Sequence, residues 1–220
     1  MAENQENMTV KKENLFIVRL NWSDLIALTG VLFSLISILH SHFGRFENAI
    51  AFMFVAMLIN SLDGAFVKLL KAERLFGRYM DGFIEFLVYL IAPAVFFYYF
   101  GFERLHIVWI LLLFGACGIV RLSVYDQIGD VKTGQKEIAR LGMPVFWSHF
   151  IAAAFYGLAF LIKSDLVVYL AAAVMLAYSF LMILNRRFAQ FDTKPHVLVI
   201  IVCLMSLFLW LGMSKGSPLF

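Results

Sequence analysis

Charge is scarce in this 220-residue chain: 15% of it is Asp, Glu, Lys or Arg, against 62% hydrophobic residues. Soluble domains carry about 25% charged and 45–50% apolar residues. So little charge excludes a disordered tail, which needs low hydrophobicity to stay unfolded. The net charge of +3 is too small to imply a polyanionic partner, and a nucleic-acid-binding domain is excluded. Cysteine is almost absent. Cys117 and Cys203 sit inside apolar runs and read as small buried hydrophobes, which excludes a secreted disulfide scaffold and a cysteine metal pair. With 4 prolines and no repeat, low-complexity tract or linker, residues 1–220 read as one domain.

What the chain has is apolar length, with 24 Phe and a mean hydropathy of +0.86. A membrane-spanning helix needs roughly 20 mostly apolar residues. Seven segments qualify: 24–43, 47–71, 79–100, 104–124, 143–162, 165–185 and 196–213. The expected fold is therefore an all-α integral membrane bundle of about seven helices. Residues 11–22 alternate Lys11, Lys12 and Arg19 with Leu15, Phe16, Ile17 and Trp22, which suits an amphipathic helix in the headgroup layer. The first long apolar run lacks a small-residue cleavage pattern, so removal of a signal peptide is not expected. With residue 1 cytoplasmic, Arg45, Arg104, Lys163 and Lys215 are the only 4 of the 18 Lys and Arg residues outside. Positive-inside bias thus predicts a cytoplasmic N-terminus, in a prokaryotic cytoplasmic membrane.

Three acids stand in or at the ends of apolar spans: Asp63, Asp81 and Glu85. A carboxylate there costs about 2.5–3.5 kcal/mol on insertion scales, so it faces a bundle interior and a partner. Asn60, Asp63 and Gly64 fall at i, i+3 and i+4 of one helix, and Asp81 and Glu85 at i and i+4 of the next. Each set shares one face, and a short turn makes the helices antiparallel neighbours. Four oxygen-bearing side chains at the membrane surface suit a hard divalent cation such as Mg²⁺, Mn²⁺ or Ca²⁺. Ion pairs of Asp63 and Asp81 with Lys68, Lys71, Arg74 or Arg78 are the alternative that spacing leaves open, with the cation site favoured. Gly64 and Gly77 let backbone approach a ligand closely.

The hairpin at 58–86 carries a resemblance. NSLDGAFVKLLKAERLFGRYMDGFIE, residues 60–85, resembles the signature of the CDP-alcohol phosphatidyltransferases, D-x-x-D-G-x-x-A-R-x(8)-G-x-x-x-D-x-x-x-D. Every spacing is kept. Asn60 stands at the first acid, Val67 and Lys68 at A-R, and Glu85 at the last acid. FGRYMDGFIEFLVYLIAPA is similar to F-G-x-x-L-D-S-L-x-D…F-G-x-A-P-A of the phosphatidylserine synthases. CGIVRLSVYD at 117–126 resembles their C-G-A-L-R-L-A-R-F-N, and RLGMPVFW at 140–147 their F-x-G-L-P-x-P. The likeness covers about residues 24–150.

The resemblance implies a six-helix family core, often a homodimer, that moves the phosphatidyl group of CDP-diacylglycerol to a small alcohol, serine favoured, and releases CMP. It implies a Mg²⁺ or Mn²⁺ site, of two-metal type, with Asp63 and Asp81 as bridging ligands, Asn60 offering its carbonyl oxygen, and Glu85 as ligand and catalytic base. Gly64 and Gly77 would make room for the cytidine and its phosphates, and Lys68 would meet a phosphate. Arg121, Lys136 and Arg140 are candidates for the acceptor carboxylate or the lipid phosphate, or are ordinary positive-inside charges. Choline is the alternative acceptor, and Tyr79, Tyr125, Phe146 and Trp147 offer it an aromatic cage. Two further readings stay open: a CDP-lipid-binding relative with weakened catalysis, and an ion-coupled transporter, although neither broken helices nor repeated halves are visible. His149, within a span, reads as a satisfied bundle histidine.

Overall fold

The computed structural model describes residues 22–70, 75–128, 142–186, 188 and 195–215, with side chains except at 22–23, 63–70, 75–78, 126–128 and 195. Seven helices and no strand occur among the described residues. They are α1 (Trp22–His42), α2 (Phe46–Leu70), α3 (75–102), α4 (Leu105–Ile128), α5 (Trp147–Leu161), α6 (Leu166–Ile183) and α7 (Pro195–Ser214). Five contain apolar stretches long enough to cross a bilayer: Asp24–His42, Tyr79–Phe102, Leu105–Tyr125, Leu166–Ile183 and His196–Ser214. Shorter apolar stretches run over Phe46–Leu62 and Trp147–Leu161. The chain is an integral membrane protein of all-α class.

Its surface bears this out. Ser34, Ser37, Ser41, Glu47 and Asn48 are buried between helices, while Leu32, Leu39, Trp109, Leu112 and Trp210 are exposed. Water would drive the opposite sorting, whereas lipid accepts apolar side chains outside and leaves polar ones to bond between helices. Cys117 is buried as expected, but Cys203 is exposed, because it lies on the outward side of α7, where lipid costs a thiol nothing. The 11–22 segment lies outside the described residues but for Trp22.

α3 is the hub and packs against α1, α2, α4, α5 and α6. It is not a uniform helix. α-helical turns at Leu75–Phe86 and Ala92–Phe97 alternate with π-helical turns at Leu87–Ile91 and Tyr98–Phe102. The first π turn has a local cause. The Ala92 N–H reaches five residues back to the Leu87 carbonyl, and Pro93 has no N–H to give. The carbonyl of Tyr89 instead accepts from the Ser148 hydroxyl of α5 at 2.8 Å, a proton shared with the Val145 carbonyl at 2.9 Å.

Polar contacts mark the two ends of the bundle. At one end Arg104 bonds Asp165 at 3.0 Å, His42 pairs with Tyr99 at 2.8 Å, and the Glu47 carboxylate accepts from Tyr156 and Lys215. At the other end lie Glu85, Arg121 and the 142–146 segment. The 143–162 span is shorter than expected, since helix begins only at Trp147. Gly142 has φ +75°, and Pro144 disfavours helix in the residue before it. Removing the Ser148 hydroxyl strands a buried carbonyl, which costs about 1–3 kcal/mol. Ser148→Ala should lower the thermal midpoint of the detergent-solubilised protein accordingly; an unchanged midpoint would show that the Tyr89 carbonyl has another donor.

Candidate active site

Three elements meet below the α3 π turn. α3 supplies Glu85 and Tyr89, one helical turn apart. α4 supplies Arg121, and a close approach sets its depth: a Cβ on Gly118 would sit 2.4 Å from Leu90 Cδ2. A larger residue would have to displace the Leu90 side chain for α4 to lie this near the π turn, and Arg121 follows three residues later. The third element is the non-helical 142–146 segment, which ends in a turn. Gly142 and Met143 donate backbone bonds to Arg186 and Leu181 carbonyls, both 2.9 Å. The Tyr178 hydroxyl donates to the Pro144 and Val145 carbonyls, both at 2.8 Å. A Cβ at Gly142 would meet the Met182 carbonyl at 2.2 Å, so glycine is demanded by position as well as by φ.

These walls enclose a cavity of about 190 Å³ lined by Glu85, Tyr89, Arg121, Leu122, Tyr125, Pro144, Val145 and Phe146. Its charged and hydroxyl-bearing walls suit a small polar molecule. The Arg121 side chain is 7% exposed and its guanidinium lies 5.5 Å from the Tyr125 ring centroid. Asn60 of α2 reaches the same place, its Nδ2 donating to the Tyr89 hydroxyl at 3.1 Å. Beside this cavity, and sharing Leu122 with it, a second hollow of about 340 Å³ is lined by Tyr79, Gly82, Phe83, Phe86, Ile119, Leu122 and Ser123. It is predominantly apolar.

Of the residues singled out from the sequence, Asn60, Glu85 and Arg121 are brought together around this cavity. Asp81 is half-buried one turn before Glu85 on α3. The side chains of Asp63, Gly64, Lys68 and Gly77 lie outside the described residues, as do Lys136 and Arg140. Among the described residues no three His, Cys, Asp or Glu side chains form a metal-binding group. The donors that are described, Asn60, Asp81 and Glu85, offer only hard oxygens, which fits Mg²⁺ or Mn²⁺ rather than a thiolate- or imidazole-seeking metal. The aromatic cage is divided. Tyr125 and Phe146 line the small cavity, Tyr79 lines the apolar hollow, and Trp147 stacks on Phe146 at 5.9 Å. His149 is buried with its ring 5.1 Å from Tyr89 and does not line the cavity.

Two residues of the site escape a reading of the sequence: Tyr89, hidden among apolar neighbours, and Ser148, whose role depends on a carbonyl in another helix. The signal for Tyr89 is its place four residues after Glu85, beneath it on the helix.

No family model matches the chain. A curated relative, the archaetidylserine synthase of Methanothermobacter thermautotrophicus, is 30% identical over 177 residues, covering 77% of this chain and 70% of the relative.

Gly142→Ala should strain the left-handed backbone and drive a methyl into the Met182 carbonyl. We expect a loss of at least about 1–2 kcal/mol in detergent unfolding. Near-wild-type stability would mean that the 142–146 segment can take another path.

Proposed function

The chain belongs to the CDP-alcohol phosphatidyltransferase family, and from that premise we propose that it transfers the phosphatidyl group of a CDP-lipid such as CDP-diacylglycerol to the hydroxyl of L-serine, releasing CMP. The observation that carries this reading is the small cavity with the Glu85 carboxylate and the Arg121 guanidinium on its walls. An amino acid brings a carboxylate for Arg121, which presents a planar fork of donors, and a hydroxyl whose proton Glu85 can take. The relative's name specifies serine as head group, in agreement.

In the proposed reaction the serine hydroxyl oxygen attacks the phosphorus bearing the lipid and the bond from that phosphorus to the bridging oxygen breaks. CMP leaves with that bond's electron pair, and the hydroxyl proton passes to Glu85. Bound Mg²⁺ or Mn²⁺, held by oxygens of Asn60, Asp63, Asp81 and Glu85 in a two-metal arrangement, would supply neutralisation of the pyrophosphate charge. The remaining roles belong to the chain. Gly64 and Gly77 leave room for the cytidine and its phosphates, Lys68 meets a phosphate, and Lys136 and Arg140 add cations toward the lipid phosphate. The apolar hollow beside the cavity suits an acyl chain of the donor.

A choline acceptor would find Tyr125 and Phe146 in the same cavity, but it has no carboxylate to use the Arg121 fork, and this favours serine. From the positive-inside bias of the sequence we place the site end of the bundle at the cytoplasmic surface, with a cytoplasmic N-terminus. A homodimer is part of the same proposal.

The test is CMP release by detergent-purified protein with Mn²⁺ or Mg²⁺ and CDP-diacylglycerol or its ether-lipid counterpart. Serine, choline, inositol and glycerol 3-phosphate are supplied singly. We expect metal-dependent release with serine alone, abolished by Asp81→Ala. Loss of a charged hydrogen bond costs about 1.5–3 kcal/mol, so Arg121→Gln should raise the serine KM roughly 10–100-fold while the CDP-lipid KM stays within about twofold. No release with any acceptor would sink the transferase reading and leave a CDP-lipid-binding relative. Release with choline alone would overturn the head group.

A further inference from the structure

An aspartate and an asparagine ask different things of their neighbours. A carboxylate has two equivalent oxygens, so either edge can face a cation. An amide has one ligating oxygen, and its other edge is a donor that repels a cation, so half of its orientations are wrong. Asn60 stands where the family signature has an acid. Tyr89 stands where the F-G-x-A-P-A segment has Phe, in register with Ala92, Pro93 and Ala94. The two departures meet in space, with Asn60 Nδ2 donating to the Tyr89 hydroxyl at 3.1 Å. A phenylalanine at 89 would offer that amide nothing.

Tyr89 is itself firmly held. Its side chain is buried, at 6% exposure, its ring packs 5.1 Å from that of His149, and its carbonyl is bonded by Ser148 at 2.8 Å. It also shares a cavity wall with Glu85. The hydroxyl is thus a fixed acceptor near Glu85. An amide whose NH₂ is committed to it must present Oδ1 on its opposite edge.

We propose that Tyr89 is a positioning residue for the divalent-cation site: its hydroxyl holds the NH₂ of Asn60 and thereby orients the amide oxygen as a ligand, compensating for the aspartate this chain lacks. The inference rests on the reading of Asn60, Asp81 and Glu85 as cation ligands. It assigns Tyr89 a role that matters only while residue 60 is an amide.

The test is Mn²⁺ binding alone, without lipid or acceptor, to the full-length detergent-solubilised protein, read by loss of the free-Mn²⁺ electron paramagnetic resonance signal. Wild type, Tyr89→Phe, Asn60→Asp and the double variant form a cycle, with Asp81→Ala as reference and circular dichroism as the check of folding. Loss of an outer partner of a ligand weakens metal affinity by about tenfold or more. We expect that weakening for Tyr89→Phe when residue 60 is Asn and less than about twofold when it is Asp. Unchanged affinity in the Asn60 background, or equal weakening in both, would overturn the proposal. So would a Tyr89→Phe protein that folds in neither background, because the hydroxyl would then be structural. Wild type that binds no Mn²⁺, or binds it no better than Asp81→Ala, would instead refute the cation site itself and remove what Tyr89 positions.

Discussion

Pro93 has no N–H, and inside a bilayer there is no water to replace it. A carbonyl left open by a proline must find a donor from the protein or cost several kcal/mol. In this chain the donor is the Ser148 hydroxyl, which reaches the Tyr89 carbonyl from another helix. Much follows from that bond. It allows the π turn at Leu87–Ile91, ties the start of α5 to the middle of α3, and brings the 142–146 segment against Tyr89. π turns recur at functional sites because the extra residue re-aims the side chains around it. Here it does so one turn after Glu85.

Charge is distributed along the bundle with the same economy. At the end away from the cavity the acids are matched within short reach, Asp165 to Arg104 and Glu47 to Lys215 and Tyr156. These contacts clamp helix ends and are remote from the cavity. At the cavity end polar and charged side chains from α3 and α4 line a shared space. Glu85 and Arg121 face one hollow, and Asn60 enters through Tyr89. The Asp165 and Glu47 contacts join helix ends at one end of the bundle, and at the other the walls around Glu85 and Arg121 leave room for a small polar guest.

Several parts of this arrangement were legible beforehand. Asn60, Asp81 and Glu85 stand out because carboxylates and amides are costly in apolar runs, and helical spacing puts them on shared faces. Arg121 was visible as a cation inside the CGIVRLSVYD segment, although its place opposite Glu85 was not. The helices themselves follow from apolar length, which is why the seven among the described residues were readable while the boundary near residue 143 was not. A composition window counts Met143 to Phe146 as apolar and cannot see that Gly142 takes a left-handed turn. Tyr89 was invisible for a related reason. An aromatic residue among Leu, Val and Ile is indistinguishable from core packing until the atom facing its hydroxyl is known.

The sequence by itself determined that the chain lives in a membrane, where its long apolar helices run, and which stretch carries the acids. Those properties depend on apolar length and on spacing along one helix, and both are local. Only the tertiary structure decided that Glu85 and Arg121 share a cavity, that Tyr89 receives the Asn60 amide, and that Ser148 completes the backbone bonding of α3. Each of these joins residues from different helices. Without a hydrophobic drive between helices in lipid, their relative depth and rotation are set by close contacts such as Gly118 against Leu90 and by bonds such as Ser148 to Tyr89, which exist only once the bundle has assembled.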